Sequence, residues 1–147
     1  TAALAAQLTA YGTGPETFGL IRADLRLANL MVDGDTLTAI DFDDCGFGWW
    51  AYDLAAALSF IETDPRLPDL IARWCEGYAR AAPLRPEDRA MIPALIFLRR
   101  VLLTAWLATR ADSDTAQALG GPAYTQGTLT LAERFLTDGL SSFCPAA

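Results

Sequence analysis

The 147-residue chain contains no histidine and no lysine; all eleven of its basic residues are arginine. Without an imidazole it has no histidine base and no histidine metal ligand, and without an amine side chain it has no lysine to contact a phosphate. Cysteine is scarce as well. Cys45, Cys75 and Cys144 are odd in number and lack metal-ligand spacing, which points to reduced, buried thiols in a cytoplasmic protein. Positive charge is outweighed, 11 basic against 18 acidic residues for a net charge of −7, which argues against a nucleic-acid partner, since such proteins present a basic face. The longest apolar tract, 91–109, is interrupted by Arg99 and Arg100 and does not read as a membrane span. No secretory signal pattern, internal repeat or low-complexity stretch stands out.

What is present is apolar: 52% of the residues are hydrophobic, enough in a chain of 147 residues to build one core. One stretch organises the rest, Ile21 to Asp44, IRADLRLANLMVDGDTLTAIDFDD. Asp24 is followed by Asn29 five residues later, and Asp41, Asp43 and Asp44 follow across a hairpin whose turn is Asp33-Gly34-Asp35. Leu30 to Val32 and Leu37 to Ile40 read as short buried strands. Asp33 and Asp35 are turn residues, because Asp-Gly is a turn signal in its own right. Asp24 and Asp41 adjoin apolar runs, where a bare carboxylate is costly to leave unpaired. A calcium loop starting at Asp33 fails, since its sixth position is Thr38 and its twelfth is Asp44.

The spacing Asp24-Leu25-Arg26-Leu27-Ala28-Asn29, then Asp41-Phe42, matches the catalytic-loop pattern of kinases. Moving a phosphoryl group from ATP to a hydroxyl is mostly positioning and charge. It needs a carboxylate beside the hydroxyl and oxygen ligands that hold Mg2+ against the phosphates. The segment resembles the catalytic region of the aminoglycoside phosphotransferase and choline-kinase-like group, which shares the protein-kinase fold; the likeness is tight over 18–58 and diffuse beyond. The resemblance implies Asp24 as catalytic base, with Arg26 near the transferring phosphate. It implies Asn29 and Asp41 as the residues that bind Mg2+ and nucleotide, Asp43 as an auxiliary metal ligand, and Asp44 as a structural partner of the loop. Asp53, in Trp50-Ala51-Tyr52-Asp53-Leu54-Ala55, would brace the catalytic loop by accepting backbone hydrogen bonds.

Two features depart from that group. Its histidine ahead of the base is Arg22 here, which would pair with Asp41 or Asp44, and its phosphate-holding lysine and nucleotide-covering loop are not found in these residues. The expectation is an α+β, mainly helical C-terminal lobe of a kinase-like enzyme, residues 1–147 forming one domain, with the small hairpin carrying the catalytic loop. The expected partners are nucleotide and a small hydroxyl acceptor, an amino alcohol or aminoglycoside-like molecule, with no nucleic acid or membrane; the acidic charge suits a cationic acceptor. A catalytically silent kinase-like binding or scaffold module stands as the alternative.

The remainder reads as helices. Ala2 to Tyr11 forms one, stopped by Gly12 and Gly14-Pro15; Cys45 to Gly48 is a flexible turn, and 49–61 is a helix. Trp49, Trp50 and Tyr52 at its start pack in the core in preference to bordering a cleft. Asp64 caps a helix with Pro65 first, which ends at Ala81-Ala82-Pro83 and carries Leu70, Ile71, Trp74 and Tyr78 on one face. Pro86-Glu87-Asp88 opens a helix to about Arg110, with Pro93 inside and Leu95, Leu98, Leu102 and Trp106 as its core stripe. Residues 111–122 are a loop, and 123–136 a last helix weakened by Gly127. Glu62, Asp69, Glu76 and Glu133 read as a solvated face.

Overall fold

The first helix, α1 (Ala2–Tyr11), is built from alanine and leucine and stops where Gly12 takes a positive φ of 76°. The computed structural model describes residues 2–139; Cys144 lies outside them. Strand β1 (Phe18–Ile21) follows, then a loop, a single 3-10 turn at Leu27–Asn29, and the hairpin of β2 (Leu30–Asp33) and β3 (Thr36–Ala39). Strand β4 (Gly46–Trp49) leads into α2 (Tyr52–Ala57), α3 (Leu67–Ala81), α4 (Pro86–Thr109), α5 (Asp114–Ala118) and α6 (Gly121–Asp138). The fold is α+β and mainly helical, as expected.

Two antiparallel strand pairs make up its β part. The hairpin closes on Gly34 (φ 55°) with Asp33 opposite Thr36, and Leu30 opposite Ala39 at its open end. Its strands are not buried: Met31, Val32 and Leu37 are exposed, because β2 and β3 pair only with each other. The other pair joins β1 to β4, Phe18 opposite Trp49 and Ile21 opposite Gly46. Residues 46–49 are thus a strand and not a flexible turn. Their glycines serve close packing. A Cβ on Gly48 would lie 2.4 Å from Ile21 Cδ1, and one on Gly19 would lie 2.0 Å from the Trp50 ring.

The aromatics entering α2 are structural. Trp49 donates to the Gly12 carbonyl (2.7 Å) and meets Phe18 edge-on at 5.7 Å, and Tyr52 is buried. The helix is shorter than its sequence implies, because β4 takes its first residues and Phe60 turns the chain with a φ of 70°. Helix α3 starts two residues after Pro65, at Leu67, with Pro68 in its first turn; the Asp64 side chain accepts the Arg66 N–H (2.8 Å) ahead of it. Its face is Leu67, Ile71 and Cys75, with Leu70, Trp74 and Tyr78 at the margin.

Helix α4 is the spine, packed against α1, α2 and α6. It is long and apolar enough to cross a membrane by composition, yet its Ile92, Leu95, Ile96 and Phe97 fill the core. Asp88 ties its start down, accepting from Arg85 N–H (2.9 Å) and from the Tyr11 hydroxyl (2.7 Å) of α1. The stripe along its second half is rotated from the expected one: Leu103 and Leu107 are buried while Leu102 is exposed, because α5 and α6 cover that side. The expected loop at 111–122 contains α5, and α6 begins at Gly121. Phe97 stacks on Phe135 of α6 at 4.7 Å.

Between these helices lies a buried ion pair. Glu62 is 2% exposed and accepts from Arg100 Nη1 (2.8 Å) and from the Tyr124 hydroxyl (2.9 Å), so it is no part of a solvated face. Arg100 also donates to Thr128 and to the Tyr124 carbonyl, with its guanidinium 3.3 Å from the Tyr124 ring centre. Gly127 makes room: a Cβ there would lie 2.9 Å from Arg100 Nη2. Asp69, Glu76 and Glu133 are exposed, as expected.

Candidate active site

Strand β1 delivers the chain into a loop whose conformation is fixed from below by α2. The Arg22 and Ala23 amides both donate to the Asp53 carboxylate, at 3.0 and 2.7 Å, the bracing expected of Asp53. Ala23 is held at a φ of 65°, a conformation costly for a residue with a Cβ, and the next side chain, Asp24, is turned inward.

Asp24 is 8% exposed and its carboxylate is saturated on one side. Oδ2 accepts from Arg26 Nε (2.9 Å) and Asn29 Nδ2 (3.0 Å), and Oδ1 accepts from Arg99 Nη2 of α4. Burial pushes the carboxyl up, but the hydrogen bonds and charges of Arg26 and Arg99 outweigh it and hold it below the usual range. Asp24 is therefore ionised at neutral pH and can accept a hydrogen bond from a hydroxyl. Arg26 and Asn29, singled out with it by spacing, are brought against it. Arg99 was invisible to that spacing; its only trace in the sequence is an Arg-Arg pair inside an apolar run.

Asp41 joins them through the backbone. The Ile40 amide donates to the Asn29 carbonyl (3.0 Å), so the open end of the hairpin sets Asn29 beside the segment that carries Asp41. Arg22 closes the same junction from beneath, donating to the carbonyls of Asp24, Ile40 and Asp41 and lying 5.1 Å from the Phe42 ring centre. It binds main-chain carbonyls and not the carboxylates of Asp41 or Asp44, because those point outward: both are exposed, and Asp41 has a φ of 63°. The cost of burying a bare carboxylate thus applies to Asp24 and not to Asp41. Asp43 is exposed in the turn where the Cys45 amide meets the Phe42 carbonyl, and Cys45 is exposed too, unlike the buried Cys75.

A cleft of about 330 Å³ opens beside Asp24. Asp24, Arg26, Asp44 and Arg99 form its polar side, and Phe60, Leu102, Trp106 and Leu119 its apolar wall. Asp44 has no hydrogen bond or ion pair among the described residues, so it lines the cleft and is not a structural partner of the loop. Among the described residues no three Asp, Glu, Cys or His side chains converge as a metal cluster. The oxygens available for a hard cation at the hairpin mouth are those of Asn29, whose Nδ2 is committed to Asp24, and the outward carboxylate of Asp41. Their chemistry suits a hard divalent cation, which takes one or two protein oxygens and fills its remaining positions with water and phosphate.

Residues 1–85 match the phosphotransferase enzyme family. The chain belongs to that family. Amicoumacin kinase of Bacillus subtilis (strain 168) is 28% identical over 109 residues, covering 68% of this chain and 32% of that protein. A microcompartment-associated aminopropanol kinase superposes with a TM-score of 0.83 at 48% identity, covering 91% of this chain and 42% of the other. The amicoumacin kinase hAmiN, solved with AMP-PNP, Ca2+ and Ami, shares the fold (TM-score 0.66, 22% identity, 86% of this chain and 42% of that one). The chain therefore spans less than half the length of these relatives, and its fold is kinase-like.

Proposed function

We propose that this chain supplies the acid-bearing C-terminal lobe of an ATP-dependent phosphotransferase whose acceptor is the hydroxyl of a small amino alcohol. The observation that carries the reading is Asp24, buried, ionised and pinned at the side of a cleft sized for a small molecule. Asp24 takes the acceptor's hydroxyl proton as the oxygen forms its bond to the γ-phosphorus and the bond to the departing ADP oxygen breaks. Three donors already occupy the carboxylate, two on Oδ2 and one on Oδ1, so Oδ1 is where the incoming hydroxyl is received. Asn29 and Asp41 would hold Mg2+, which when bound would offset phosphate charge; Arg26 stands next to Asp24, and Asp43 would add an outer carboxylate. An amine on the acceptor suits the uncommitted carboxylate of Asp44, and the apolar wall suits a short carbon chain. The likeness to an aminopropanol kinase at 48% identity supports the same class of acceptor.

The test is turnover of the full-length protein with Mg·ATP and a panel of amino alcohols. Asp24→Ala is expected to abolish transfer while sparing nucleotide binding, and Asp41→Asn to weaken metal-dependent nucleotide binding. Transfer retained in the Asp24 variant would refute the base assignment, and an unchanged Mg2+ dependence would remove Asp41 from the metal site.

A further inference from the structure

Arg99 reaches the catalytic loop from a distant helix and touches it at more than one point. Its Nη2 donates to Asp24 Oδ1, its Nη1 to the Ala23 carbonyl (3.4 Å), and its Nε to Ser59 Oγ (3.0 Å), which itself donates to the Ala56 carbonyl (2.7 Å). Ala23 is the residue in the left-handed region. Its amide is held by Asp53 on one side and its carbonyl by Arg99 on the other, so α2 and α4 clamp the two peptide units that flank one strained residue.

The two carboxylate oxygens of Asp24 have different anchors. Oδ2 is held within its own loop by Arg26 and Asn29, whereas Oδ1, the oxygen with room for another donor, is anchored only by Arg99 among the described residues. The Arg99 side chain is nearly buried, and its fork spans the loop, the end of α2 and the cleft. A lysine ammonium is a point charge and cannot present donors in the fixed planar directions that these three acceptors need.

We propose that Arg99 is a positioning residue of the phosphotransfer site, fixing the rotamer of Asp24 and the Ala23 peptide so that Oδ1 faces the acceptor cleft. The inference rests on the phosphotransferase reading for its kinetic consequence and on the hydrogen-bond geometry for its structural one. Misplacing a reacting group by about 1 Å costs on the order of 100-fold in rate, and the Arg99 hydrogen bonds go to Ser59, Ala23 and Asp24, not to Asn29 or Asp41, the proposed metal-holding residues.

The full-length protein carrying Arg99→Ala should lose about 10- to 100-fold in kcat with the KM for ATP within about twofold. Exogenous guanidinium should restore part of that kcat. Amide hydrogen exchange at Arg22 and Ala23 should quicken at least about tenfold, since the clamp holding them has lost one jaw. Wild-type kcat in Arg99→Ala, or a fall in kcat with unchanged exchange and no guanidinium rescue, would overturn the proposal. Should Arg99→Ala fail to fold, Arg99→Lys keeps the charge without the fork. Reduced kcat with unchanged KM for ATP then supports the positioning role, and wild-type kinetics overturns it. Absence of phosphoryl transfer in the wild-type protein would instead refute the phosphotransferase reading, leaving the exchange measurement to decide whether Arg99 orders the loop.

Discussion

Removing one partner of the Glu62–Arg100 pair should be the most destabilising polar change in this fold. Glu62 and Arg100 are 2% and 5% exposed, and their contact is 2.8 Å, so water supplies almost none of the lost solvation. At an effective dielectric of about 20 such a pair is worth on the order of 4 kcal/mol. Glu62→Gln keeps the shape and one acceptor oxygen but removes the negative charge, leaving the buried Arg100 guanidinium with only the neutral partners Thr128, the Tyr124 carbonyl and ring, and the new amide. Breaking a buried pair from one side costs about 3–5 kcal/mol, or a Tm lower by about 10 °C in a chain of this size. Urea unfolding and thermal denaturation of the variant measure the loss. The combined Glu62→Leu and Arg100→Met variant should be less destabilised than Glu62→Gln alone, because it removes the buried charge along with its partner. A loss below about 1 kcal/mol for Glu62→Gln, the size of an exposed pair, would refute this reasoning.

The Asp88 network predicts a pH dependence. Burial pushes the Asp88 carboxyl up, but hydrogen bonds from Arg85 and Tyr11 outweigh it and hold its folded pKa below the ordinary carboxylate value. A depressed pKa stabilises the fold above the unfolded value of about 4, and that contribution disappears as the pH falls through the lower folded value. Wild type should therefore keep its stability advantage over Asp88→Asn at neutral pH and lose it as the pH falls from about 4 through the lower folded value, and a constant difference across that fall would contradict the assignment. Two glycines should respond in opposite directions. Gly19→Ala drives a Cβ to 2.0 Å from the Trp50 ring and should cost about 1–3 kcal/mol. Gly77→Ala, in α3 with its nearest atom 3.6 Å away, should gain about 0.5–1 kcal/mol, and denaturant midpoints of the two variants check the pair.

What the sequence revealed of the site was what neighbouring residues determine. Asp24, Arg26 and Asn29 lie within six consecutive residues, so their spacing already keeps them near one another, and the Asp-Gly turn returns Asp41 to the mouth of the hairpin. Arg99 and the wall formed by Phe60 and Trp106 come from elements far along the chain, where no local spacing reports on meeting. The fold behaves the same way. Caps and breakers placed α1 and the start of α4, because Gly12 and Pro86 act on their own backbone. Strand β4 escaped notice because Gly46 and Gly48 are turn residues by composition, and only the Ile21 side chain lying across Gly48 shows why a strand needs them. Glu62 likewise passed for a surface acid, since its partner lies 38 residues away.

The missing lysines acquire a physical sense from the same contacts. Arg22 binds carbonyls of Asp24, Ile40 and Asp41, thereby joining the candidate base to the strand exit that carries the candidate metal ligand. Arg99 binds Asp24, Ala23 and Ser59, and Arg100 binds Glu62, Thr128 and the Tyr124 carbonyl. Each is a cation with little exposure whose several donors point at acceptors in fixed directions, a task that a planar fork performs and an ammonium does not. Arg22 in place of the family's histidine is then no vacancy in the loop. A histidine has two ring nitrogens to offer, whereas the guanidinium reaches three carbonyls on both sides of the hairpin mouth, so the loop is shaped here by a longer and permanently charged side chain. Because Arg99 and Arg100 are adjacent on α4, that one helix ties the Asp24 loop through Arg99 and anchors α6 through Arg100. Leu102 and Trp106, which form part of the cleft wall, continue from the same helix, so α4 contributes both to the placement of the carboxylate and to the shape of the space beside it.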